Sequence, residues 1–213
     1  MFSTMLMFIC IAFGASMIVY LLCFKTRKRN LRQEDLYREF LDAEHHANFS
    51  RKKDPDPEEY LKIDPHTLPI RNYPDEPTYA RVVARQNNIL NVASLPMIYN
   101  IRGMSNRELK LKYGAANLDR MVTYEENYDR FIHHLLEWAT ALTALGNTAD
   151  ACTVLKAAIE YHCDRSQAYT MLAGLISDRG ELDALRKKAQ SILSGSAAER
   201  TLAYIDMKVG EIT

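Results

Sequence analysis

Apolar side chains run from Phe2 to Phe24 with no Lys, Arg, Asp or Glu among them. At about 1.5 Å per residue such a helix extends roughly 34 Å, enough to cross a hydrocarbon core. A helix also satisfies its own backbone hydrogen bonds, which lipid cannot do. The pattern therefore predicts a transmembrane helix over residues 2–24. A cleaved signal peptide fits less well. No basic residue precedes the run, and bulky Tyr20-Leu21-Leu22-Cys23-Phe24 stand where cleavage needs small side chains.

The pattern then becomes that of helices in water. Residues 25–50 read as a basic juxtamembrane segment and an amphipathic helix, with Leu36, Tyr37, Phe40 and Leu41 on one stripe. Residues 51–77 hold Pro55, Pro57, Pro65, Pro69, Pro74 and Pro77, which break helices and favour extended backbone. This is a proline-rich connector. Its Tyr60, Leu61, Ile63, Leu68, Ile70 and Tyr73 suit a segment lying against a folded body. Pro77 fits a helix's first turn, and the helix runs to about Leu95. Ser105 and Glu108 have capping-box spacing and open a short helix that ends near Gly114. From Ala115 to Leu145 the three-and-four spacing predicts one long helix, or two with a break near Thr123. Asn147, Asp164 with Gln167, and Ser196-Ala-Ala-Glu199 read as further helix starts. The expected fold is all-α: a transmembrane helix, then a helical domain over 78–213.

Gly146 and Gly180 stand 34 residues apart, each between two amphipathic segments. Glycine there can adopt the left-handed turn that ends a helix. Leu135, Trp138, Ala139 and Leu142 precede Gly146, and Ala151, Leu155 and Ala158 follow it. Tyr169, Leu172, Ala173 and Ile176 precede Gly180, and Leu182, Leu185, Ala189 and Ile192 follow it. In period and in the order of large and small residues this resembles the tetratricopeptide repeat family, with units at about 132–165 and 166–195 and a C-terminal capping helix. Two positions depart from that pattern. Cys163 stands where the family has a proline, and Leu185 where it has an alanine. The resemblance implies a binding module whose first helices line a concave groove. It puts His133, Glu137, Thr140, Gln167, Thr170, Met171, Gly174 and Asp178 on that side. The Lys, Arg and Asn set with which some members hold a terminal carboxylate is missing.

Charge adds a topology. Lys25, Arg27, Lys28, Arg29 and Arg32 follow the apolar run directly. By the positive-inside rule they predict a single-pass protein of the cell membrane, N-terminus outside and C-terminal domain cytoplasmic. With 27 basic and 27 acidic residues the net charge is zero, which gives no case for nucleic acid. The four cysteines form no Cys-x-x-Cys pair and suit a reducing compartment.

No phosphate-binding loop, nucleophile elbow or HExxH is present. The expectation is therefore no enzyme, no cofactor and no metal. His45 and His46 are adjacent and point apart. His133 and His134 diverge by about 100° on a helix, and Cys152, His162 and Cys163 add no diagnostic spacing. The function expected is a membrane-tethered adaptor contacting a protein partner and the lipid bilayer, with no small-molecule substrate. Two alternatives stay open. One is a structural subunit of a membrane complex, packed through Gly14, Ala15 and Ser16. The other is an enzyme with an unrecognised site in 54–114.

Overall fold

The computed structural model describes Ser16, Met17, Tyr20, Phe24, Lys25 and residues 32–95 and 97–212. Among the described residues all regular structure is helical. The helices are α1 (residues 32–48), α2 (Pro77–Ala93), α3 (Asn106–Tyr113), α4 (Leu118–Ala144), α5 (Thr148–Glu160), α6 (Ser166–Leu175), α7 (Arg179–Ile192) and α8 (Gly195–Glu211). Single 3-10 turns sit at Pro65–Thr67 and Ala115–Asn117. The chain forms two compact units. The first runs to Asp54 and takes in Met104–Leu118; the second holds Pro55–Gly103 and everything from Asp119 onward.

The expected transmembrane helix must be corrected. Among the described residues no helix is long and apolar enough to cross a membrane. The single-pass topology and the cell-membrane location fall with it. Most of residues 2–24 lie outside the described residues, as do Arg27, Lys28 and Arg29 of the basic cluster. The longest described helix, α4, spans 27 residues. It carries Asp119, Arg120, Glu125, Glu126, Asp129 and Arg130, charges that a helix keeps on its watered side.

In the first unit, α3 starts with both halves of a capping box. The Glu108 N–H donates to Ser105 Oγ (3.3 Å) and the Ser105 N–H to Glu108 Oε2 (2.7 Å). It stops at Gly114, whose φ is +82°. A Cβ there would come within 2.7 Å of the Lys52 Cα, so only glycine lets the backbone of residues 51–53 pass this close. That passage is tied by Lys53 N–H to the Tyr113 carbonyl (2.9 Å) and by Asn117 Nδ2 to the Lys53 carbonyl (2.8 Å).

The second unit is built on α4, an unbroken helix with no interruption near Thr123. Its Tyr128, Phe131, Ile132, Leu135, Trp138 and Leu142 are buried. They join Leu155 and Ala158 of α5, Tyr169 and Leu172 of α6, Leu182 of α7 and Ile205 of α8 in one core. From Pro55 on, the proline-rich stretch belongs to this body. Leu68 is buried in the core, and Leu61, Ile63 and Tyr73 pack against it. The Leu61 N–H donates to the Ile98 carbonyl (2.8 Å). Gln86 and Arg71 exchange two bonds: Arg71 N–H to Gln86 Oε1 (3.0 Å) and Gln86 Nε2 to the Arg71 carbonyl (2.9 Å). The Arg71 guanidinium then grips Asp150 in the first turn of α5, its second nitrogen 2.7 Å from Oδ1.

The helix ends differ from the sequence reading in three places. Gly146 does end α4 in the left-handed region, φ +82°. Gly180 does not end a helix: α6 stops at Leu175, and Gly180 lies in the first turn of α7. Asp178 starts that helix, accepting from the Glu181 N–H at 2.8 Å. Asp164 pairs with Arg102 instead of capping α6. Ser196 lies inside α8, whose N-cap is Ser194. At the α5–α6 turn, where the family has a proline, two buried tyrosines hold the chain. Tyr128 Oη reaches the Tyr161 and His162 carbonyls (2.9 and 3.0 Å), and Tyr169 Oη donates to the Cys163 carbonyl (2.9 Å). These carbonyls lie at and just past a helix end, where the helix itself offers no donors.

Candidate functional site

Consecutive helices set the site. α6 packs against both α5 and α8, and α7 packs against α8. Two cavities lie along α4 and α6, the first closed by α2 and the second by α8. One, about 280 Å³, is lined by Arg81, His133, Leu136, Glu137, Thr140 and Gln167. The other, about 360 Å³, is lined by Thr143, Thr170, Met171, Gly174, Leu175 and Tyr204. They adjoin at Met171, whose sulfur lies 3.9 Å from Thr140 Oγ1 and 3.6 Å from Gln167 Nε2. Periodicity accounts for this alignment. The core residues of α4 repeat at three-and-four spacing, which turns His133, Glu137 and Thr140 to the opposite stripe.

Of the residues expected in the groove, His133, Glu137, Thr140 and Gln167 meet at the first cavity and Thr170 and Met171 at the second. Asp178 does not join them and spends its carboxylate on the α7 N-terminus. Three residues from other elements were missed: Arg81 of α2, Arg85 one turn on, and Tyr204 of α8. Arg81 and Arg85 repeat the four-residue spacing of His133 and Glu137, a signal legible only once the two helices are known to be neighbours.

Local polarity is well defined. Arg85 donates to Glu137 Oε2 at 2.6 Å. The same oxygen lies 3.5 Å from His133 Nε2 and 3.6 Å from His134 Nδ1. Burial pushes the His134 imidazole below its ordinary value, against the pull of Glu137. The groove threonines bond to their own helices: Thr140 Oγ1 to the Leu136 carbonyl (2.8 Å), Thr143 Oγ1 to Ala139 (2.8 Å) and Thr170 Oγ1 to Ser166 (3.2 Å).

A third cavity, about 200 Å³, lies among α5, α6 and α7 over Ile159, Leu172 and Leu185. It is bracketed by the Lys156–Glu181 and Lys188–Glu160 ion pairs. Of the three cavities, only the first draws on residues 54–114, and only through Arg81. Cys163 is buried with its thiol pushed up by burial, and Cys152 is half-buried and shifted the same way. Neither lines these cavities.

No model of a protein family, no curated protein and no solved structure matches the chain.

Proposed function

We propose that the second unit is a protein-docking module, whose α4–α6–α8 face receives an extended or helical segment of a partner. One observation carries this reading: two cavities lie along α4 and α6, and Met171 of the second touches Thr140 and Gln167 of the first. The lining supplies methyl groups, a thioether, an amide and threonine hydroxyls bonded to their own helices, with Arg81, His133 and Glu137 at one end. Gly174 lines the second cavity beside Tyr204, whose Oη stands 3.4 Å from where a Cβ would lie. Helix-in-groove and extended-chain recognition both use a surface of this kind. The resemblance to tetratricopeptide repeats supports the same use of the first helices; it rests on the 34-residue period and the helix order.

The test selects peptides from a random displayed library on the full chain, then measures their affinity for two variants. Met171→Glu puts a charge on the groove floor, and affinity is expected to fall at least about 10-fold, a loss near 1.4 kcal/mol. Lys187→Glu, exposed on α7, is expected to leave affinity unchanged. Peptides insensitive to Met171→Glu, or equally weakened by both variants, contradict the proposal.

A further inference from the structure

We infer that His133, His134 and Glu137 form a binding site for a divalent transition-metal ion of the zinc class. One ligand atom from each lies within 4.8 Å of the other two. The His133 Nε2–Glu137 Oε2 and His134 Nδ1–Glu137 Oε2 separations are 3.5 and 3.6 Å. Ligand bonds of about 2.0–2.1 Å in a tetrahedral site put neighbouring ligand atoms about 3.4 Å apart. These two edges match the edges of a metal tetrahedron, and the His133–His134 edge is within 4.8 Å.

Adjacent helical residues diverge by about 100°, the reason the histidine pair carries no metal signature in sequence. The structure resolves this by using unlike nitrogens. His133 reaches with its far nitrogen, Nε2, and His134 with its near one, Nδ1, and the ring centroids come within 5.6 Å. Glu137, four residues from one and three from the other, closes the set from the next turn. A second observation is independent of the spacing. His134 Nδ1 is buried and makes no hydrogen bond, its closest recorded partner being Glu137 at 3.6 Å. A buried polar nitrogen without a partner is costly, and an ion on its lone pair removes that cost.

Two imidazoles with one carboxylate favour zinc, cobalt, nickel or copper over magnesium or calcium, which prefer all-oxygen shells. Arg85 holds the Glu137 carboxylate at 2.6 Å. It acts as the outer partner that orients a ligating carboxylate, and its positive charge lowers affinity for the cation. His133 and Glu137 also line the 280 Å³ cavity. The ion's remaining position opens there, to water or to a donor atom of a bound segment. The site does not depend on the docking reading, and its test needs no peptide.

The experiment titrates zinc chloride into the full chain, free of any histidine tag, by calorimetry, and records cobalt absorption on the same protein. One saturable equivalent is expected, with the intense cobalt bands of tetrahedral coordination. His133→Ala, at an exposed side chain (52%), and Glu137→Gln are each expected to weaken zinc at least about 10-fold with helicity unchanged by circular dichroism. A His45→Ala/His46→Ala control, on α1, is expected to bind as the parent does. No saturable binding, weak octahedral cobalt bands, or a loss confined to the His45/His46 control overturns the assignment.

Discussion

Tyr128 shows how much one buried hydroxyl decides. Its ring is fully buried in α4, yet its oxygen serves two carbonyls at the C-terminal turn of α5, next to His162 with φ +61°. Burial pushes its phenol well above the usual range, so it stays a neutral donor. Tyr128→Phe keeps the packing and removes the donor. The expected loss is about 1 kcal/mol of unfolding free energy, measured by urea denaturation, since two part-buried carbonyls lose the donor they share. A loss near zero means that water serves the turn instead. In the sequence Tyr128 read only as one more apolar position at helical spacing; a hydroxyl's target many residues away has no local signature.

Between elements, Arg71 on Asp150 is a two-bond tie that fixes the proline-rich stretch to the start of α5. Asp150 is almost fully buried. Its hydrogen bond from Arg71, ahead of that from Asn147, holds it below the usual carboxylate value. A depressed carboxylate adds stability that is complete above the unfolded value of about 3.9 and is lost as pH falls through the lower folded value. Asp150→Asn should therefore have a lower urea midpoint than the parent at pH 7. The gap should close as both are taken below about pH 4. A gap independent of pH contradicts this role. Periodicity made helices α2 to α8 legible, because burying one stripe is what a helix in a core does. Helix ends were less legible. Asp164 and Ser196 have the residue types of N-caps, but Arg102 claims Asp164, and the α8 backbone turns helical before Ser196. Gly180 shows the same limit: a glycine 34 residues after Gly146 keeps the period without keeping the job, because Asp178 starts α7 earlier.

At the scale of the whole chain, two units have separate local anchors. Gly114 is the anchor of the first, where a side chain would strike the Lys52 backbone. Gly114→Ala is expected to cost about 1–3 kcal/mol from its backbone conformation, φ +82° and ψ +146°, alone. In hydrogen exchange the amides of α3 should lose protection while α4 to α8 keep theirs; equal loss throughout means that the chain opens as one cooperative body. The cavity lining on α4 and α6 was legible in part: His133, Glu137, Thr140 and Gln167 line one cavity and Thr170 and Met171 the other. Arg81, Arg85 and Tyr204 were not, because nothing in the sequence says that α2 and α8 neighbour these residues of α4 and α6. The transmembrane reading rested on the apolarity of one stretch, and among the described residues no helix is long and apolar enough to cross a membrane.

The groove threonines carry a final consequence. A hydroxyl owns one hydrogen and two lone pairs, and at Thr140, Thr143 and Thr170 that hydrogen is engaged inside the helix. Along this stretch the wall thus presents electron pairs and methyl groups to a visitor. A segment bringing lysine, asparagine or free main-chain amides finds counterparts at these hydroxyls; one bringing carboxylates finds its donors only at the Arg81 end of the lining.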